Sequence, residues 1–433
     1  MFIKKTVRDI DLAGKRVLLR ADYNVPVENG QINDDFRIKQ SLPTIRYILE
    51  QKPAALIIIS HLGRPDGQEN QEYSLLPVAK KLNELLGQEV QFASDCVGEP
   101  AKKAVTALLP GGILVLENVR FHPEEEKNDK AFAKKIAEDS GAQVFVQDGF
   151  GVVHRAHATT DALARLMPSV AGFLLEKEVS TINRVMKESA RPLVAVIGGA
   201  KISDKIDLLN RFIDMADCVV VVGAMANNFL LAEDVPVGTS LVEPEVIDTT
   251  REILRRARRL EVERNFNFIM PVDSVVSTSL DGRAPTRIVD FAAHMIADIE
   301  AYPKKPPVSA YTIGKNESIL DIGPVSAGRI AGIVNMSQTV IWNGTCGVTE
   351  VKGLAGAHDP FSHGTRLVVD AMIGNSRRHK NKPFTLVGGG DTAAYVASQN
   401  LLDDFDHVST GGGASLELLA GKPLPGVDVL QGK

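Results

Sequence analysis

Short runs of Val, Ile and Leu recur along the chain and stop abruptly at Gly, Asn or Asp. They read "RVLLRAD", "ALIIIS", "ILVLEN", "QVFVQD", "LVAVIGG", "CVVVVGA", "NFIMPVD", "TVIWNG", "FTLVGGG" and "HVSTGGG". None alternates strictly between apolar and polar positions, which predicts strands buried on both faces of a parallel sheet. Between them, stretches such as "SLLPVAKKLNELLG" and "DKAFAKKIAEDSG" have helical periodicity. The alternation predicts an α/β fold with parallel sheets and crossover helices. The segment 172–190 reads as one long amphipathic helix ended by Pro192, lying between the first four strands and the rest. It is the expected connector between two domains.

At 433 residues the chain is longer than a single hydrophobic core usually supports, which agrees with two domains. A 44% hydrophobic and 24% charged composition is that of an ordinary globular protein. No apolar run reaches the roughly 20 residues of a membrane span, so no membrane association is expected. The start, "MFIKKTVRDIDLAGKR", lacks the apolar core of a signal peptide. Cys96, Cys218 and Cys346 are widely spaced, as reduced cytoplasmic thiols would be. A net charge of −5 argues against a nucleic-acid partner, so any anion must meet a local group of cations.

Ligands of open parallel sheets bind beyond the carboxyl ends of the strands. In the first half those ends carry Asp22 and Asn24, then His61 and Arg64, then Asn118 and Arg120, then His154 and Arg155, with Arg37 just after the first strand. Guanidinium grips carboxylate and phosphate in a bidentate manner, so four arginines at strand ends favour a small anionic ligand over isolated surface ion pairs. The second half ends its strands in "GGAKISDK", "GAMANN", "NGTCG", "GGGDTAA" and "TGGGAS". Glycine lets backbone N–H groups approach phosphate, helix N-termini add their dipole, and Lys201 and Lys205 add charge. Asp391 is a hard oxygen donor suited to Mg²⁺ on a nucleotide. Together these predict a nucleoside di- or triphosphate site.

Other chemistries fit less well. No Gly-x-x-x-x-Gly-Lys-Ser/Thr stretch is present, so the phosphate cradle is not a P-loop. "GGGDTA" fits a permissive dinucleotide fingerprint through Gly388, Gly390 and Ala393, but the next strand ends in Thr410 where an acid is needed. His154 and His157 have no Cys or third His nearby in sequence to complete a metal site. A binding protein without catalysis would have little need for both an anion pocket and a phosphate cradle.

The motifs "RVLLRADYNVP", "SHLGRP", "VLENVRFHPEEEKND", "HRAHATT", "GGAKISDKI", "GAMANNFL", "PVDSVV", "WNGTCGVTE", "GGGDTAAYV" and "HVSTGGGASLELLAGK" closely resemble, in order, those of phosphoglycerate kinases. The resemblance covers almost the whole chain. It implies two Rossmann-like domains: residues 1–171 binding 3-phosphoglycerate, a hinge helix at 172–190, and 191–413 binding nucleotide. The tail at 414–433 should return to the first domain. The implied reaction is reversible phosphoryl transfer between 1,3-bisphosphoglycerate and Mg·ADP, in line and upon domain closure, by a cytoplasmic monomer acting on small molecules. The implied acid pocket comprises Asp22, Tyr23, Asn24, Arg37, His61, Leu62, Gly63, Arg64, Arg120 and Arg155, with His154 and His157 shaping it. The nucleotide pocket comprises Gly199, Ala200, Lys201, Lys205, Ile319, Asn343, Glu350, Gly389, Gly390, Asp391 and Thr392, with Asp391 on Mg²⁺. Arg37, Lys201, Gly390 and Gly413 are the implied catalytic positions. The sequence departs from the family pattern at Thr345, Cys346, Thr349, Ile319, Gly149 and Val152, and carries apparent extra length around 280–318. Cys346, flanked by Gly344 and Gly347, is expected to be partly accessible, and Cys218 to be an inert core thiol.

Overall fold

The computed structural model describes residues 2–291, 312–353, 359–375 and 382–433. The chain divides into two compact units, Met1–Arg184 with Gly413–Lys433, and Val185–Gly412. The helix Phe173–Glu188 carries the chain from the first to the second.

In the first unit, β1 (Arg16–Arg20), β4 (Ala55–Ile59), β5 (Val90–Ala93), β6 (Gly112–Leu116), β7 (Val144–Gln147) and β8 (Ser169–Ala171) form a parallel sheet in the order β5-β6-β4-β1-β7-β8. A small hairpin, β2 (Val27–Glu28) and β3 (Gln31–Ile32), follows β1. Successive side chains of a strand face opposite ways, and the apolar runs supply both faces. Val17, Leu19, Leu56, Ile58, Ile113, Val115, Val144 and Val146 enter one core, with Ile38, Ile45, Val78 and Leu82 of the helices Phe36–Glu50 and Leu76–Leu86. Leu18, Ile57, Ile59, Leu114, Leu116 and Phe145 enter the other, with Ala101, Val105, Phe132 and Ile136 of Gly98–Ala107 and Lys130–Ser140. Each fully buried aliphatic side chain contributes roughly 1.5–3 kcal/mol, so a polar face on any of these strands would be costly. The chain leaves β1 toward β4 on one side and reaches β7 on the other, which opens a crevice beyond their carboxyl ends. The tail is fastened here, through Lys5 N–H to the Gln431 carbonyl (2.8 Å), Lys433 N–H to Ile3 (3.0 Å) and Gly426 N–H to Val153 (2.9 Å).

The second unit repeats the plan. Strands β9 (Leu193–Ile197), β10 (Cys218–Val221), β11 (Asn267–Ile269), β15 (Thr339–Asn343), β16 (Phe384–Gly388) and β17 (His407–Val408) are parallel in the order β11-β10-β9-β15-β16-β17. Its crevice therefore opens between β9 and β15. One face packs Val194, Val196, Val220, Val340, Trp342 and Val387 against Ala327, Ile330 and Val334 of the helix Pro324–Asn335 and Val368 and Met372 of His363–Met372. A separate antiparallel sheet, β13 (Thr286–Asp290), β12 (Asp273–Ser277) and β14 (Ser318–Ile322), covers a smaller core of Leu230, Val237, Val276, Val289 and Phe291. The run "NFIMPVD" is thus two elements in two sheets rather than one strand. Of the extra length around 280–318, residues 292–311 lie outside the described residues.

Candidate active site

The crevice of the first unit gathers cations from four strand ends. Arg37, in the first turn of the helix Phe36–Glu50, places Nη1 3.1 Å from Asp22 Oδ2 and donates to the Asn24 carbonyl at 3.0 Å. Asn24 Oδ1 accepts the Gly63 N–H at 2.9 Å, and the Gly63 carbonyl accepts from Arg120 Nη1 at 2.9 Å. Asn118 supports this loop from beneath, donating to the Leu62 and Tyr73 carbonyls at 2.7 and 2.9 Å. Arg120 is almost buried and also meets Glu126 at 3.1 Å. Arg155 is exposed and its Nε lies 3.2 Å from His154 Nε2. Arg64 is also exposed, and among the described residues neither it nor Arg155 has a carboxylate partner. Uncommitted forks beside a preorganised loop network suit a carboxylate or phosphate.

A buried chain of polar groups lies under these cations. Arg20, inside β1, donates from Nε to Thr159 Oγ1 at 2.9 Å, and that hydroxyl donates to Glu125 Oε1 at 2.6 Å. The Thr159 N–H completes the carboxylate's bonding at 3.0 Å. Burial pulls the Arg20 guanidinium down and pushes the Glu125 carboxyl up, and the field of each favours the charged form of the other. His61 is buried, and burial with the fields of Arg20, Arg120 and Arg37 holds it well below the ordinary imidazole value. His154 and His157 are pulled down to about 4 by burial and by the neighbouring arginines. The three imidazoles are neutral at pH 7 and act as polar walls. Sequence reading missed Arg20, Glu125 and Thr159, although an arginine within an apolar strand was the available signal.

Two residues of the expected acid pocket have their side chains buried in the core, which leaves only their backbone free to face a ligand. The Tyr23 ring is fully buried, its hydroxyl 3.0 Å from Ser41 Oγ, and Leu62 packs into the core.

In the second unit Lys205 contacts Asn343 Oδ1, and Asn343 Nδ2 donates to the Gly388 carbonyl at 2.8 Å. Burial pulls Lys205 down to about 8, against the fields of Asp391 and Asp204. The Gly344 N–H donates to Thr392 Oγ1 at 2.7 Å, tying β15 to the helix Gly390–Ser398. The loop carrying Lys201 is held by Glu243, which accepts from Ile202 N–H (2.6 Å), Ser203 N–H (3.1 Å) and Ser203 Oγ (2.6 Å). Glu243 is a further residue that sequence reading missed. Ala200, Lys201 and Asp391 are exposed.

The glycines fall into two kinds. A Cβ on Gly198 would lie 2.5 Å from the Thr345 carbonyl oxygen, and one on Gly223 would lie 2.8 Å from the Gly199 nitrogen, so these serve close backbone packing. A Cβ on Gly390 would meet nothing within 4 Å, and one on Gly412 would lie 3.4 Å from the Gly390 nitrogen. The N-terminus of the helix Gly390–Ser398 thus has Gly412 beside it and open space over its first residue. That is a cradle for anionic oxygens. In the first unit, a Cβ on Gly413 would sit 2.8 Å from His154 Nε2.

Ile319 lies on β14 with its N–H bonded to Ser240 Oγ at 2.8 Å, and Glu350 is exposed; no hydrogen bond among the described residues ties either to Lys205 or Asn343. The expected access to Cys346 is overturned. It is 2% exposed, packs in the Trp342 core, and burial pushes its thiol far up. The loop turns inward because Cys346 N–H bonds Thr365 Oγ1 at 2.9 Å. Cys218 is buried, as expected.

The family model described as phosphoglycerate kinase matches residues 7–422. A phosphoglycerate kinase of Pelotomaculum thermopropionicum is 44% identical over 430 residues, covering 99% of this chain and 100% of the relative. One from Chloroflexus aurantiacus is 44% identical over 431 residues, covering 99% of both chains. Among solved structures, phosphoglycerate kinase from Coxiella burnetii superposes with a TM-score of 0.78 at 36% identity, covering 98% of each chain. That from Pyrococcus horikoshii OT3 gives 0.77 at 28% identity, covering 99% of this chain and 98% of its own.

Proposed function

Since this chain belongs to the phosphoglycerate kinase family, we propose that its two strand-end clusters divide the two substrates between them. The enzyme is a glycolytic phosphotransferase with a carboxyl acceptor, moving a phosphoryl group reversibly between 1,3-bisphosphoglycerate and ADP. The single observation that carries the division is the contrast between the crevices: arginine forks in one unit, the open N-terminus of the helix Gly390–Ser398 with Lys205 in the other.

Arg155, Arg64 and Arg120 hold the phosphate of 3-phosphoglycerate, and Asp22, Asn24 and His61 with the backbone of Tyr23, Leu62 and Gly63 complete its pocket. Arg37 turns toward the acyl oxygen, held there by Asp22. Lys205, the loop Gly199–Lys201 and the amides of Gly389–Thr392 hold the nucleotide phosphates, and Asn343, Glu350 and Ile319 surround ribose and base. Asp391 is exposed, and among the described residues no hydrogen bond or ion pair occupies its carboxylate. One hard oxygen beside phosphate amides fits Mg²⁺ arriving on a nucleotide, where it would neutralise phosphate charge.

A transferring phosphoryl group is metaphosphate-like, so the protein positions donor and acceptor in line and neutralises the charge between them. Arg37, Lys201 and the amides of Gly390 and Gly413 supply that neutralisation. A carboxylate attacks without losing a proton, so no general base is needed; the neutral His61, His154 and His157 agree with this. Acid and nucleotide must meet, so the reading includes closure of the units, which also keeps water from the acyl phosphate. The enzyme acts in this reading as a cytoplasmic monomer; among the described residues no helix is long and apolar enough to cross a membrane.

Calorimetry on two variants tests the division. Arg155→Ala should weaken 3-phosphoglycerate binding by roughly 10-fold or more and leave Mg·ADP unchanged, since a charged hydrogen bond contributes about 1.5–3 kcal/mol. Lys201→Ala should do the reverse. Both variants impairing the same ligand would overturn the assignment.

A further inference from the structure

At the outer end of the first sheet, beyond β5 and β6, three side chains of different donor type converge. Asp95 and Cys96 follow β5, and His122 closes the short turn Val119–Phe121 after β6. One candidate ligand atom from each lies within 4.8 Å of the other two, and among the described residues no other group of three His, Cys, Asp or Glu does so. His122 Nε2 is 2.8 Å from an Asp95 carboxylate oxygen.

We propose that Asp95, Cys96 and His122 bind a borderline-soft divalent cation of the zinc type, with a fourth position open to water. The reaction's own chemistry does not require it, and no residue of it belongs to either substrate cluster.

The donor set is the first argument. Thiolate, imidazole and carboxylate together are the ligands of Zn²⁺, whereas Mg²⁺ takes oxygen alone. Distance is the second. Tetrahedral ligands at about 2.0–2.3 Å from the ion stand roughly 3.3–3.8 Å apart, so the cluster needs a contraction of no more than about 1 Å and a small opening of the His–Asp pair. Preorganisation is the third. The Asp95 carboxylate is anchored by the N–H groups of Cys96 at 2.6 Å and Val97 at 3.3 Å, and the His122 ring rests against Phe132 with centroids 5.1 Å apart. Such outer contacts fix ligand direction. Asp95 and His122 are about one-third exposed, which gives the ion an approach, while Cys96 Sγ lies beneath them. Binding releases the thiol proton to solvent and leaves thiolate on the metal.

Cobalt(II) reports the site directly. The full chain, freed of metal by chelator and without nucleotide, is titrated with Co²⁺. The expected result is a near-ultraviolet thiolate-to-cobalt band with tetrahedral visible bands, saturating near one equivalent, bleached by Zn²⁺ and untouched by excess Mg²⁺. Cys96→Ser should abolish the near-ultraviolet band, and His122→Gln should raise the dissociation constant at least about 10-fold, the scale lost with even an outer-shell partner. A band that survives Cys96→Ser overturns the proposal. Should that variant not fold, the wild-type chain decides alone: no thiolate band at one equivalent overturns it equally.

Discussion

A Cβ placed on Gly344 would lie 2.2 Å from the Gly198 carbonyl oxygen, so the ends of β9 and β15 touch backbone to backbone where the second crevice opens. Gly344 also has φ +96°, a region in which side chains are strained.

Gly344→Ala should therefore cost stability, by about 2 kcal/mol or more, since both the clash and the backbone resist relief. Gly390→Ala should leave the unfolding midpoint nearly unchanged, because its methyl meets no protein atom within 4 Å, yet raise KM for ATP by intruding on the space proposed for phosphate. Urea unfolding and steady-state kinetics on both variants separate the two roles. Equal loss of stability in both would show that the distinction between the glycines is wrong.

Lys205 stands at about 8 in the free protein because burial opposes its charge. A bound phosphate would favour the ammonium form, so Mg·ADP binding at pH 8 should take up a fraction of a proton. Calorimetry in buffers of differing ionisation enthalpy reads that uptake directly. In Lys205→Arg, always charged, the uptake should vanish while binding persists.

His157 is held at about 4 in the folded state, below the unfolded value near 6.5. The unfolded chain then binds the extra proton first, so this histidine's contribution is present above pH 6.5 and is lost as pH falls toward 4. Buried Asp148 and Asp321, both raised to about 7, contribute with the opposite sign, so the effect is read as a difference. Between pH 7 and pH 5 His157→Gln should lose less stability than the unsubstituted chain. An equal loss in both would mean that His157 is not held neutral.

Much of this was legible in the residues because the long apolar strands are fully buried and stop at the site. Val17–Leu19 and Ile57–Ile59 announce β1 and β4, and Arg37, Arg120, Lys205 and Asn343 follow from where such strands end. The edge strands "VQFA" and "SVA" were not legible, being short and weakly apolar. Glu125 and Glu243 look like surface acids in sequence; only tertiary folding places one under Arg20 and the other on the Lys201 loop. Cys346 misled because flanking glycines suggest an open loop, whereas here they permit close packing: a Cβ on Gly347 would sit 2.3 Å from the Phe361 carbonyl oxygen.

The most direct test of the two-cluster account is the initial rate of phosphoryl transfer from Mg·ATP to 3-phosphoglycerate, measured in a coupled assay for the chain and for Arg37→Ala. The account predicts turnover that requires both substrates, and a fall in kcat of roughly 10- to 150-fold in the variant, the worth of a charged hydrogen bond made as charge builds on the moving group. Arg37→Ala turning over at the full rate would contradict it.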